Sequence, residues 1–355
     1  MATVQIDPAH DGNLLALLQE GKPDARGWMI RRIAWVGIAT LVVMVLPNLP
    51  NSIIRADWVA LGMIYVLVGL SVNILIGYAG QVSLGHQAFV GVGAFTSALF
   101  VSKVGMPFGV AVIASAATGA VAAILLGLVA LRLQGLYLAL ITLAYGEIAE
   151  RVIFGIPALT GGGAGSPAPR PTGFGGDRAY AYLCMAFVGL ALFVDWRLIR
   201  SKAGRAILAL RDNEIAAQSV GINTVYYKLF AFVLSGALAG LAGALFAHWS
   251  TFVVSVTFNF QLALTFVLMT AVGGLQSRAG IFIGSAFFAI FPLAFNSLQI
   301  WVLIIGPVLL LLTLIQFPGG IGEQLRPITE WLNGKPFSFK HDDSGLGSGG
   351  AGVRP

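Results

Sequence analysis

The chain has 355 residues, of which 57% are hydrophobic and only 10% are charged, and its mean hydropathy is +0.86. Soluble domains have about 25% charged residues, so the composition excludes a chain of two or three soluble domains and indicates a protein surrounded by membrane lipid. The single cysteine, Cys184, excludes an internal disulfide framework, and the sequence shows no cluster of metal-ligating residues.

Apolar runs long enough to cross the roughly 30 Å hydrocarbon core as helices recur along the chain. The sequence therefore predicts an all-α, polytopic membrane protein with about 8–10 transmembrane helices, one of them broken, and a short cytoplasmic helix. The candidate spans are 30–48, 58–77, 86–102, 108–131, 136–154, 179–196, 227–248, 260–275, 280–296 and 300–317.

The positions of the basic residues predict the orientation. With ten spans and a cytoplasmic N-terminus, 16 of the 21 Lys and Arg residues fall in cytoplasmic segments. This asymmetry follows the positive-inside rule. It accounts for the net charge of +6 without a nucleic-acid partner, and it places the C-terminus in the cytoplasm as well.

The connectors divide the chain into three predicted regions. Residues 1–29 form a cytoplasmic N-terminal segment, and residues 30–317 form the transmembrane region. That region contains a Gly- and Pro-rich external loop, 155–178, and a cytoplasmic connector of helical character, 197–226. Residues 318–355 form a cytoplasmic tail whose Gly/Ser-rich end is predicted to be disordered.

A polar, glycine-rich segment joins the second and third candidate spans. Its side chains can hydrogen-bond, and irregular backbone at membrane depth survives only where protein or a water-filled cavity surrounds it. The segment is therefore either part of a solute path or an ordinary cytoplasmic turn. Its candidate path residues are Asn73, Gln81, Ser83, His86 and Gln87.

Glu147 lies about 16 Å along the span that begins at Leu136, near the predicted membrane midplane. A charge at this depth costs about 2.5–3.5 kcal/mol. Glu147 and Arg151 are four residues apart and can pair on one helix face. Either this face lines a water-filled path, with Glu150 beside it, or the pair only stabilises the helix bundle. His248, at the end of a later span, is predicted to lie at the membrane interface.

Small residues mark a close helix contact, and polar residues mark a short surface helix. Gly236, Gly240 and Gly243 form a small-xxx-small face, which predicts helix packing within or between subunits. In the 197–226 connector, Asp212 or Asn213 can cap a helix of about eight residues, and Gly221 can end it in the left-handed conformation. This helix is either a docking element for a cytoplasmic partner or a solvated connector.

The connector resembles the Glu-Ala-Ala…Gly loop of bacterial ABC importer permeases. Four segments in the same order resemble the LivM type of branched-chain amino acid permease, over roughly residues 55–320. They read Gly-Tyr-Ala-Gly-Gln-Val-Ser-Leu-Gly-His (77–86), Leu-Tyr-Leu-Ala-Leu-Ile-Thr-Leu-Ala-Tyr-Gly-Glu (136–147), Leu-Thr-Gly-Gly-Gly (159–163), and the stretch from Gly204 to Phe232.

The resemblance implies a membrane subunit of the bacterial cytoplasmic (inner) membrane that pairs with a second, related permease subunit. It also implies two cytoplasmic ATPases, which carry the ATP and Mg, and a periplasmic or lipid-anchored binding protein. Tyr137 and Thr142 join the predicted path. The residues implied in coupling to the ATPases are Gly204, Arg205, Arg211, Asp212, Asn213, Glu214, Ala216, Ala217 and Gly221.

The sequence leaves three classes of function open. The sequence contains no Gly-x-x-x-x-Gly-Lys-Ser/Thr motif, so we predict a permease that is not itself an enzyme and binds no cofactor. The alternative is a secondary transporter driven by protons through Glu147. A purely structural membrane protein is disfavoured by the polar residues within the spans. The solute could be a branched-chain amino acid or another small solute, such as urea, an amide or an aromatic acid.

Overall fold

The described helices follow the apolar runs. In a computed structural model of the chain, the structure describes residues 55–131, 133 and 135–294, together with 45–48, 50 and the isolated positions 304, 308 and 312. These helices belong to one unit, Val42–Glu323. The predicted spans 30–48 and 300–317 fall largely outside the described residues, as do the predicted N-terminal segment and C-terminal tail.

The part of the chain that is described contains ten α-helices of six residues or more, a four-residue helix (Pro157–Thr160), short 3₁₀- and π-helical segments and one two-stranded ladder. Four helices are long and apolar enough to cross a membrane: Ala56–Tyr78, Phe108–Ala130, Asp177–Arg200 and Thr224–Ser250. The elements are α1 (Ala56–Val72), α2 (His86–Ser102), α3 (Phe108–Ala130), α4 (Leu136–Ile148), α5 (Asp177–Arg200), α6 (Lys202–Asp212), α7 (Glu214–Ser219), α8 (Thr224–Ser250), α9 (Phe260–Gly273), α10 (Arg278–Ala294), β1 (Ser166–Pro167) and β2 (Phe252–Val253).

Two helices continue as π-helical segments, in which the backbone winds more widely than in an α-helix. Such segments are often found at functional sites. Residues Asn73–Tyr78 extend α1, and residues Ala149–Ile153 extend α4. Beyond Tyr78 the backbone is non-helical until His86, so the structure contains the predicted helix break. Both π-helical segments coincide with the polar segments that the sequence singles out.

The centre of the bundle is α8, which packs against α1, α2 and α3. A Cβ atom added to Gly240 would lie 2.3 Å from the Ser115 carbonyl oxygen, and one added to Gly243 would lie 2.0 Å from that of Val90. A Cβ on Gly236 would lie 2.3 Å from Ala123 Cβ. The three glycines therefore make close backbone contacts within the subunit, at distances that a side chain would not allow.

The loop from 155 to 178 is held against the end of α8. Strands β1 and β2 pair antiparallel, with Ser166 opposite Val253. His248 is buried within the protein, and its position at the membrane interface stays a prediction. Its Nδ1 donates to the Pro169 carbonyl oxygen (2.7 Å), and its Nε2 therefore accepts from the Ser97 hydroxyl (2.8 Å). The histidine is buried because it joins the loop to α2.

Candidate functional site

The non-helical segment 79–85 packs directly on α4. The Leu84 backbone N–H donates to Thr142 Oγ1 (2.9 Å). A Cβ on Gly85 would lie 2.7 Å from the Thr142 carbonyl oxygen, and one on Gly146 would lie 2.0 Å from Gln87 Nε2. The structure thus brings Gln87 and Thr142 from the predicted path into one buried region. Ser83 is buried in the same non-helical segment.

His86 belongs to a buried hydrogen-bonded cluster that joins α1, α2 and α8. Ser71 Oγ donates to the Ser235 carbonyl oxygen (2.8 Å), and Ser235 Oγ donates to that of Ser71 (2.9 Å). Because the Ser235 hydroxyl proton is used in this way, His86 Nε2 donates to Ser235 Oγ (3.0 Å). Neither serine was predicted from the sequence, since the hydroxyl group of a serine in an apolar run usually hydrogen-bonds to a backbone carbonyl group of its own helix.

Asn73 links the end of the first helix, through hydrogen bonds, to a turn that is distant in sequence. Its Oδ1 accepts from the Gln276 backbone N–H (2.7 Å), while Gln276 Nε2 donates to the Gly77 carbonyl oxygen (3.1 Å). Several buried polar atoms nearby have no hydrogen-bond partner among the described residues, including Asn73 Nδ2, His86 Nδ1 and both polar atoms of the Gln87 side chain. Buried polar atoms of this kind ordinarily bond to ordered water.

Glu147 lies on the outward face of α4 and is paired with Arg151. Arg151 Nε donates to Glu147 Oε2 (3.0 Å), and the Glu147 side chain is 32% exposed while that of Arg151 is 77% exposed. Tyr137 also points outward and is exposed, while Glu150 is half-buried. The predicted path residues therefore divide into a buried group (Asn73, Ser83, His86, Gln87, Thr142) and a group at or near the surface (Gln81, Tyr137, Glu147, Glu150).

The short helix α7 has the termini that the sequence predicts. Asn213 Oδ1 accepts from the Ala216 backbone N–H (3.0 Å), and Gly221 is left-handed with φ of +84°. Regular helix covers six residues, two fewer than expected. Ile215 and Val220 are 81% and 75% exposed, so α7 presents apolar side chains outward.

A buried lysine holds α7 against the bundle. Lys228 Nζ, at the start of α8, donates to both carboxylate oxygens of Glu214 at 2.7 Å. The Lys228 side chain is 6% exposed and that of Glu214 is 27% exposed. The role of Glu214 in coupling to the ATPases stays a prediction, and in the structure its pair with Lys228 holds α7 in position.

Helix α6 connects α7 with the helix break. Ser201 caps its N-terminus by accepting from the Gly204 backbone N–H (3.1 Å). At its other end, the aliphatic part of Arg211 lies over Gly80: a Cβ on Gly80 would be 3.0 Å from Arg211 Cγ. Gly80 has φ of +66°, a conformation that favours glycine. A displacement of α6 would therefore press on the non-helical segment.

The sequence shows similarity to membrane transport proteins over most of its length. A family model described as "Branched-chain amino acid transport system / permease component" matches residues 54–315. The chain belongs to this permease family. The permease is 32% identical over 325 residues to the high-affinity branched-chain amino acid transport system permease protein LivM of Escherichia coli (strain K12), covering 84% of this chain and 76% of that protein.

Other similar proteins extend the comparison. The permease is 31% identical to LivM of Salmonella typhimurium (strain LT2), over 84% of this chain and 77% of that protein. A shorter region is 31% identical over 91 residues to the autoinducer 2 import system permease protein LsrC of Shigella flexneri, 26% of each chain. No solved structure matches. The relatives are permease components rather than enzymes.

A buried ion pair between Asp195 and Arg278 is among those that were not predicted from the sequence. Asp195, fully buried near the end of α5, accepts from Arg278 Nε at the start of α10. The charges of Asp195 and Arg278 both act on the hydroxyl group of Tyr78, the last residue of the first π-helical segment. The pair thus joins α5 and α10 beside the end of the first helix. In the sequence, Asp195 is one acidic residue near the end of an apolar run. Its role in joining two helices becomes visible only with its partner Arg278, which is 83 residues away.

Replacing Asp195 with Asn is expected to destabilise the permease by about 2 kcal/mol. This is less than the 3–5 kcal/mol of a fully buried pair, because the Arg278 side chain is 37% exposed and can reach water. The measurement is thermal unfolding of the purified permease for Asp195→Asn, Arg278→Gln and the double variant. Additive effects in this cycle would show that the two residues do not interact.

Proposed function

We propose that this permease is the membrane subunit of an ABC importer and that, with a second related permease subunit, it forms the path for branched-chain amino acids or related small solutes. The observation that carries the proposal is the family match over residues 54–315. The identity to two LivM proteins over 84% of the chain supports branched-chain amino acids as the solute class. Nothing in these comparisons supports the proton-coupled alternative.

The proposed complex has two cytoplasmic ATPases and an external binding protein. The ATPases bind and hydrolyse ATP with Mg, and the permease binds no cofactor. In this proposal the chain lies in the bacterial inner membrane with both termini in the cytoplasm, so that 197–226 faces the ATPases and 155–178 faces the binding protein. The exposed apolar side chains of α7 are consistent with a seat in an ATPase groove.

The proposed path follows the helix break and the adjoining part of α4. ATP-driven movement of α7 would reach the break through α6 and the Arg211–Gly80 contact. The buried polar atoms without described partners then supply hydration sites beside the path.

Assembly tests the proposal directly. The permease, tagged and coexpressed with candidate ATPases, a second permease and a binding protein from the same genome, is expected to purify with two ATPase copies and one second permease. Native mass measurement gives the composition. Purification of the permease alone, or of a complex that lacks ATPases, would contradict the proposal.

Replacing Glu147 with Gln is expected to impair transport more than assembly. The substitution keeps the shape of the side chain but removes the charge that pairs with Arg151, so we expect uptake to fall by about tenfold, equivalent to 1.4 kcal/mol. The control is Asp57→Asn, which removes the carboxylate of another arginine–carboxylate pair, Arg55–Asp57, at the start of α1. If the Glu147→Gln variant took up solute at the wild-type rate, Glu147 would have only a packing role.

A further inference from the structure

The outward faces of the described helices differ in polarity. On α3 the exposed side chains include Ile113 and Leu125, and on α5 they include Phe193. These apolar faces suit contact with lipid. The α4 face carries Glu147, the twelfth residue of the 18 that run from Leu136 to Ile153. On the other long helices of the described chain, exposed charges lie within the first or last turns.

Where α4 crosses the membrane, as the sequence predicts, lipid cannot cover its outward face without a large energetic cost. A charged side chain at the helix centre costs about 2.5–3.5 kcal/mol, and such residues usually face a protein interior or a water-filled cavity. Arginines near helix ends normally extend towards the membrane surface. Arg151 does the reverse, since its Nε donates to Glu147 one turn deeper along the helix. The pair therefore indicates water, not lipid, on this face.

The surroundings of the pair have the chemistry of an amino-acid site. Only one guanidinium nitrogen of Arg151, Nε, contacts Glu147, and the arginine side chain is 77% exposed. A planar guanidinium can bind a carboxylate through two parallel hydrogen bonds. The Glu147 carboxylate can accept from an ammonium group. Leu140 and Ile148, 52% and 54% exposed on the same side of α4, offer apolar contact for an aliphatic side chain.

We propose that the outward face of α4 lines a water-filled path, closed on its other side by the second permease subunit, and that the Glu147–Arg151 pair transiently binds the ammonium and carboxylate groups of a zwitterionic amino acid. When the solute binds, the Glu147–Arg151 ion pair is replaced by two ion pairs, one between Glu147 and the ammonium group and one between Arg151 and the carboxylate. Neither protein charge is then left unpaired. An amine or a carboxylic acid alone would satisfy only one member of the pair. This proposal rests on the importer function proposed above.

Two permease variants, each with a single cysteine and each in the assembled complex, test the proposal. In a Cys184→Ala background, Ala144→Cys places a thiol one turn before Glu147 and leaves the pair intact. Ala117→Cys is the matched control, since Ala117 is also an exposed alanine but lies on the apolar face of α3. A charged methanethiosulfonate reagent is expected to label Cys at 144 about tenfold faster or more, because thiolate forms in water. Equal labelling rates at positions 144 and 117 would overturn the proposal that this face of α4 lines a water-filled path.

Protection from labelling tests the solute class. Millimolar L-leucine is expected to slow labelling at position 144 severalfold, whereas isoamylamine and 4-methylpentanoate, which each lack one charged group of leucine, leave the rate unchanged. Arg151→Gln should abolish protection by leucine. Equal protection by all three compounds, or none by leucine, would overturn the zwitterion site. Uptake by the wild-type complex is measured in parallel: its absence would count against the importer function, independently of the labelling pattern.

Discussion

Complexes that carry Glu214→Lys are expected to lose about nine-tenths or more of their bound ATPase, equivalent to at least 1.4 kcal/mol, while the permease still inserts into the membrane. The substitution places a second ammonium group beside buried Lys228, where the Glu214 carboxylate accepts two hydrogen bonds of 2.7 Å. Breaking a buried pair costs about 3–5 kcal/mol. A helix of six residues is unstable alone, so α7 depends on this pair for its position.

Copurification of the ATPase measures this effect, and the same loss is expected on deletion of residues 213–220. The charge-swapped variant, Glu214→Lys with Lys228→Glu, should restore most of the binding. Arg178→Glu is the control, because it reverses an exposed charge at the start of α5, outside the connector that is proposed to face the ATPases. Normal ATPase binding by Glu214→Lys would remove α7 from the proposed coupling mechanism.

Replacing Gly240 with Leu is expected to prevent folding of the permease. Even a Cβ atom at this position would lie 2.3 Å from the Ser115 carbonyl oxygen and 3.1 Å from Gly119 Cα. A larger side chain would force α8 away from α3 at the centre of the bundle. Overpacking typically costs about 1–3 kcal/mol, and the loss of adjoining close contacts adds to that cost.

The amount of monodisperse permease recovered in detergent reports this effect. Gly189→Leu is the matched control, since Gly189 is a helical glycine on α5 with no atom within 4 Å of an added Cβ. That variant should be as stable as the wild type or slightly more so, because leucine favours helix over glycine. Equal recovery of the two variants would show that α8 does not require its small-residue face.

The sequence predicted the positions of the helices well because hydropathy depends on local composition. The span predicted at 86–102 coincides with α2, and that predicted at 108–131 ends one residue beyond α3. Asn213 and Gly221 were also predictable, since a cap and a left-handed glycine act on their own helix.

Contacts between distant segments could not be predicted in this way. The Ser71–Ser235 and Asp195–Arg278 pairs are separated by 164 and 83 residues. Helical periodicity does not reveal such partners. The π-helical segment Asn73–Tyr78 was also unpredicted, because a shift in hydrogen bonding leaves the composition unchanged. Glu147 was predicted from its charge, but only the structure shows its outward direction.

In the proposed mechanism, ATP hydrolysis by partner subunits drives solute through this permease. The most direct test is uptake of radiolabelled leucine into proteoliposomes that contain the whole complex. Uptake is expected only when ATP and Mg reach the ATPases and the binding protein is present on the opposite side of the membrane. Uptake driven by a proton gradient through the permease alone, without ATP, would contradict the account.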